Sequence, residues 1–169
     1  MKNLDAIIEK MKVDWSAARK AIHFGQECPF LLRSCFSGGV ASDVMIKGIP
    51  DSAHELIQFW KISERADLFK DDECGQWGVE VLSPQKAIDE TAKQRKIRGR
   101  EFSGNDIVFA RFYGDSDLLL MDSAGSIFVS LPLDDRCDWP RVADSLRDFL
   151  ERLTSAQGAK YWESPKGGS

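Results

Sequence analysis

The sequence predicts a single α+β domain, in which a twisted, mostly antiparallel sheet with a C-terminal strand meander is packed by helices. Three observations predict it. First, residues 107–131, IVFARFYGDSDLLLMDSAGSIFVSL, read as three short strands (107–113, 117–122 and 126–131) joined by Gly114-Asp115-Ser116 and Ser123-Ala124-Gly125. The strands are rich in Val, Ile, Phe and Leu, and the turns hold Gly, Asp and Ser, which tolerate unusual backbone angles or bond their own backbone. Second, apolar residues recur at helical spacing near both ends, at Leu4, Ile7, Ile8 and Met11 and again at Val142, Leu146, Phe149, Leu150 and Leu153. Third, a chain of 169 residues, 43% apolar and 30% charged, is long enough to bury one core without a disulfide or a metal.

The elements follow in order. The first apolar stripe extends through Trp15, Ala18 and Ile22, as one helix or as two broken near Asp14. Gly25 and Pro29 end regular helix. Residues 29–48 carry little pattern beyond the Gly38-Gly39 turn and a short strand at Val44-Met45-Ile46. Ala53, Leu56, Ile57 and Trp60 form the next helical stripe, with Ser52 and Glu55 at capping-box spacing. Ala66-Asp67-Leu68-Phe69 leads into the acidic loop Asp71-Asp72-Glu73, and residues 76–82 read as a strand with Trp77, Val79 and Val81 on one face. Pro84 opens a helix over about 85–97. After the meander, Asp138 is placed as the N-cap of the last helix with Pro140 in its first turn, and Asp148 and Arg152 form an i,i+4 pair. Lys160-Tyr161-Trp162-Glu163 is expected to pack back on the domain. One domain is therefore expected over 1–163, with 164–169 a mobile tail.

Composition limits the function. The net charge of −4 disfavours general nucleic-acid binding, which works by neutralising phosphates. The one basic run, 93–100, fits a solvated helix end stopped at Gly99, because cations near a helix C-terminus meet the negative end of its dipole. The four cysteines (Cys28, Cys35, Cys74, Cys137) form no CxxC pair, and His23 and His54 lie far from each other in sequence, so no zinc site and no cofactor is expected. No run approaches the roughly 18 apolar residues of a membrane span, and the N-terminal MKNLDAIIEKMK lacks the apolar run of a secretory signal. A cytoplasmic location and no membrane contact are expected.

Catalytic chemistry has little support. There is no nucleophile elbow, phosphate loop or dinucleotide fingerprint. Asp106, Asp115, Asp117 and Asp122 suit turn chemistry. The competing reading takes Asp115 and Asp117 as a magnesium site in a metal-dependent hydrolase, since alternate residues entering a strand share a face. Trp77 and Trp139 sit beside charged residues, as interface anchors do; Trp139 suits a core equally, and Trp77, in a strand, suits a core better.

These residues resemble the SUKH superfamily, named in part for a yeast cell-wall-synthesis regulator. Three blocks carry the resemblance, which covers 49–163. The first is Ile49-Pro50 through His54 and Trp60 to Ala66 and Phe69, which looks like the family's helix ending in a short loop. The second is Gly75-Gln76-Trp77-Gly78 with the strand after it. The third runs from Asp106 through the Gly114-Asp115-Ser116-Asp117 turn to Trp139-Pro140 and Leu150. The chain departs from the pattern at Ser63-Glu64-Arg65, where many members have a glycine turn, and before Ile49. The resemblance implies a non-catalytic binding module. Bacterial members are largely immunity proteins that neutralise a cognate toxin, often a nuclease or deaminase; a regulatory scaffold for cellular proteins is the alternative. The expected partner is a basic toxin acting on nucleic acid, without direct nucleic-acid contact by this chain. The contact residues expected from charge and aromaticity are Asp71, Asp72, Glu73, Trp77, Asp115, Asp117, Asp134, Asp135 and Trp139.

Overall fold

A computed structural model describes residues 3–163, and within them every strand pairs with the next one in sequence. The strands are β1 (Arg19–His23), β2 (Gln26–Phe36), β3 (Ala66–Asp71), β4 (Val79–Val81), β5 (Ile107–Phe112), β6 (Leu118–Met121), β7 (Ile127–Ser130) and β8 (Arg141–Ala143). All pairings are antiparallel, in the order β1 to β8, and the sheet does not close into a barrel. The helices are α1 (Leu4–Trp15), α2 (His54–Ile62), α3 (Pro84–Arg98) and α4 (Leu146–Ser155), making one α+β domain. No described helix is long and apolar enough to cross a membrane.

Alternation along the strands splits the side chains between two clusters. Leu32, Leu68, Val79, Val81, Leu119, Met121, Ile127 and Val129 join Ile8, Met11, Phe59, Trp60, Phe149 and Leu150 from α1, α2 and α4 in the main core. On the reverse face, Val108 and Leu120, with Leu118 and Phe128, are covered by Phe102 and Trp139. Trp60 is fully enclosed and donates its indole N–H to the Leu82 carbonyl at 2.9 Å, so its one polar atom is satisfied.

The meander stands where the pattern placed it, each strand shortened at its ends. Its aspartates do turn chemistry: Asp122 accepts from the amides of Ala124 and Ser126, and Asp106 from that of Ser103. Asp148 pairs with Arg152 at 3.0 Å. Tyr161 and Trp162 pack against the main core. The 164–169 tail lies outside the described residues.

Four expectations are corrected. The first helix stops at Trp15, and Ile22 belongs to β1. Phe24 and Gly25 both have positive φ (52° and 78°), as the tight I′ hairpin requires, and β1 turns back into the 11-residue β2. Val44-Met45-Ile46 falls in a 3-10 turn, Asp43–Ile46, rather than a strand. Ser52 does not cap α2: a 3-10 turn over Asp51–Ala53 delays the helix by one residue, and the Ser52 hydroxyl is left buried without a partner among the described residues. Asp138 does not cap the last helix either. Val142 is drawn into β8 by pairing with β7, and α4 begins later, with Ser145 accepting from the Asp148 amide and Asp148 accepting from the Asp144 amide.

The segment after α4 then ties the ends of the sheet. Gln157 accepts from the Ile22 amide on edge strand β1 at 2.9 Å, and Tyr161 donates to the Val142 carbonyl on edge strand β8 at 2.6 Å. Four residues span at most about 14 Å, so it is the Gln157 and Tyr161 side chains that let one short segment reach both edges. Between them Gly158, at φ 86°, lies so close to Phe69 that a Cβ would stand 2.4 Å from the Phe69 Cβ. Phe69 itself has φ 52°, and its amide is satisfied out of the ladder by Ser34 Oγ at 2.9 Å. Gly158→Ala should therefore destabilise the domain by roughly 2–4 kcal/mol, from overpacking plus the left-handed backbone. Urea denaturation checks this, and a midpoint equal to that of the parent protein contradicts it.

Candidate partner-binding site

In a meander, alternate connections emerge at the same end. The β1–β2, β3–β4, β5–β6 and β7–β8 connections share one end, and they contain every acidic site candidate except Asp71, which closes β3 at that end. Their neighbourhood is electrostatic as well as topological: Asp117 feels Asp115, Glu163 and Asp134 as like charges and Lys160 as an opposite one. Burial first, and those acids second, push the Asp117 carboxyl above its ordinary value.

The candidates play different parts. Asp71 is 2% exposed, so it cannot touch a partner. Its carboxylate accepts from the amides of Glu73 (3.0 Å), Cys74 (3.2 Å) and Gln76 (3.2 Å), which shapes the β3–β4 loop. Burial pushes this carboxyl up, but the three amides together hold it below the usual carboxylate range. The loop so formed displays Asp72 and Glu73, with Asp72 3.7 Å from Arg33. In the β5–β6 turn, Asp115 accepts from the Asp117 amide at 2.9 Å and pairs with Lys160 at 2.5 Å. Gly114 fits here only because it lacks a side chain, since a Cβ would stand 2.2 Å from the Gln76 carbonyl oxygen.

The tryptophans are structural. Trp77 is half-buried and donates to the Gly158 carbonyl at 3.0 Å, with His23 and Lys160 against its ring. Trp139 is 5% exposed, which removes it as a partner contact. It packs on Phe102, and its indole N–H and Arg98 both donate to the Asp134 carbonyl. The Asp134 and Asp135 side chains remain exposed on that loop. Arg95 and Arg98, in the basic run, hold the Ser103, Gly104, Asp106, Leu131 and Asp134 carbonyls, so α3 is stapled to the neighbouring loops.

One residue went unnoticed in the sequence. Leu133 is 95% exposed, directly before Asp134-Asp135, and Phe24 on the β1–β2 hairpin is exposed at the same end. A leucine in Pro132-Leu133-Asp134-Asp135, outside any strand or helix pattern, was the available signal. Apolar side chains set among charges are the usual make-up of a protein contact surface.

Other chemistries find less. Among the described residues, no three His, Cys, Asp or Glu side chains gather as metal ligands, and Asp115 is occupied by Lys160. A recess of about 570 Å3 between Gly48-Ile49-Pro50-Asp51, α3 and the loop before β5 is lined by Thr91 and Arg95, whose polar groups are already bonded to the backbone. No protein-family model matches the chain, and no curated protein matches it.

Asp71→Asn should destabilise the domain by about 1–3 kcal/mol at neutral pH, by removing a charged acceptor from three amides. Because the folded-state pKa is lowered, this contribution is present above the unfolded carboxyl's pKa and lost as pH falls through the folded value. Melting curves of both proteins from pH 7 down to pH 3 should converge; a constant difference contradicts the assignment.

Proposed function

We propose that this chain is a non-catalytic protein-binding module, an immunity protein that binds and neutralises a basic, nucleic-acid-acting toxin. The observation that carries the reading is the grouping of Asp72, Glu73, Asp115, Asp117, Asp134, Asp135 and Glu163 at one end of the sheet, with Leu133 displayed among them. A toxin acting on nucleic acid must carry a cationic cleft, and an acidic end of this kind covers such a cleft, competes with its substrate and speeds encounter. The resemblance to the SUKH superfamily points the same way, towards a binding surface rather than a reaction centre.

The test is capture of partners from the native host by the tagged protein, followed by affinity measurement over a range of salt. A single basic toxin is the expected partner; a diffuse set of cellular proteins favours a regulatory scaffold instead. The variant Asp72→Asn/Glu73→Gln spares Asp71 and so leaves the loop folded. It should slow toxin association on the order of tenfold at low salt and flatten the salt dependence. An unchanged association rate excludes this loop from the contact.

A further inference from the structure

The reverse face of the sheet over β2–β5 carries a second charged surface, built on a different plan from the acidic end. Cross-strand register aligns Cys35, Asp67, Glu80 and Arg111 in one row, and sets Arg33 opposite Lys70 nearby. Arg65, just before β3, reaches both acids through Nη2, at 2.9 Å to Asp67 and 2.8 Å to Glu80. Arg111 reaches Glu80 through Nε at 2.5 Å. Tyr113 donates its hydroxyl to Asp67, and Lys70 and Arg111 both lie against its ring, 4.6 and 4.8 Å from the centroid.

The acids lie beneath and the cations lie on top. The Glu80 and Asp67 side chains are 7% and 15% exposed, against 40%, 46% and 44% for Arg65, Arg111 and Arg33. Partner and solvent therefore meet guanidinium and ammonium groups, although the row is formally close to neutral. Glu80 fixes both Arg65 and Arg111 in place, so little side-chain entropy remains to be lost on binding. The Nη pair of Arg111 and Nη1 of Arg65 have no acceptor among the described residues, and planar N–H forks of this kind match carboxylates.

We propose that this face docks an acidic, extended segment of a partner protein. Arg33 on β2 and Arg111 on β5 stand three strand spacings apart, about 14 Å, and an extended chain sets same-side residues about 7 Å apart. Three carboxylates at alternate positions therefore span the cations. A nucleic acid fits less well: the α3 edge beside Glu80 and Arg111 mixes Lys86 and Lys93 with Asp89 and Glu90, and the acidic end adjoins the face at Asp72, so the cations form a short patch that suits a few carboxylates better than a continuous phosphate track. The surface meets the proposed toxin contact at the Arg33–Asp72 pair, and its test reads binding of a peptide at Arg33, Lys70 and Tyr113, without the toxin.

The probe is an end-blocked peptide with glutamate at alternate positions, beside its glutamine counterpart, titrated into the isotope-labelled full chain at low salt. Saturable shifts of the Arg33, Lys70 and Tyr113 amides with the glutamate peptide alone are expected. The variant Arg33→Glu/Lys70→Glu leaves the partners of Glu80 untouched and should weaken binding on the order of tenfold. Lys70→Gln, which introduces no new charge, should weaken it less, and melting temperatures report that both variants are folded. No saturable shift, shifts confined to other surfaces, or an unchanged affinity in the folded variants overturns the proposal. Tighter binding of a single-stranded oligonucleotide of equal charge at the same amides overturns it in favour of nucleic acid.

Discussion

Gly158 packed against Phe69 decides where the C-terminal segment runs, and the sheet depends on that path. An open antiparallel sheet has two edges, each a row of amides and carbonyls ready to pair with another chain. Here one short stretch attends to both: Gln157 accepts from β1 and Tyr161 donates to β8. Around it, Trp77 is bonded to the Gly158 carbonyl, Lys160 pairs with Asp115, and Trp162 lies against Phe112 and Phe149. A side chain at position 158 would displace the segment from Phe69 and release these contacts together. The left-handed backbone at Phe69, rare for a bulky residue, is the strain that this contact accepts.

The same meander sorts the charges. Because strands alternate in direction, turns separated in sequence by tens of residues arrive at one end, and acids from different connections, Asp115 and Asp134 with Glu163, act together on Asp117. The side chains on the reverse face sort differently, by depth rather than by end. The proposed toxin contact and the proposed acidic-segment contact thus arise from two consequences of one topology, and neither requires a binding loop added to the fold.

Legibility in the sequence followed the range of the interactions involved. The meander, α3 and the stripe of α4 were legible because short-range pattern and long-range packing agree there: Leu119, Met121, Ile127 and Val129 alternate and are buried. The Phe24-Gly25 hairpin was not, because it relies on a phenylalanine at positive φ where asparagine or glycine is the usual signal. Ser52 and Asp138 carried sound capping signals that other structure overrode, a local 3-10 turn around Ser52 and the pairing of β8 with β7 after Asp138. At the acidic end, the grouping of the turns was implicit in the meander, yet the separate parts of Asp71 and Asp72 were not. They are adjacent and chemically alike, and only the direction of one side chain makes the first a scaffold for loop amides and the second a displayed charge.

Burial is also what makes composition a poor guide to the surface. The chain is net acidic, yet two of its carboxylates, Asp67 and Glu80, are spent beneath Arg65 and Arg111, and a third, Asp106, lies under Arg136 at 2.5 Å. A carboxylate can be enclosed only where a cation or several amides compensate it, and the longer guanidinium side chain reaches from such a site back to water. Each acid buried under a cation thereby leaves that cation nearer the solvent than itself. The reverse face takes its positive character from this asymmetry of side-chain length, so a protein with more acids than bases presents a cationic face wherever its acids are the better enclosed.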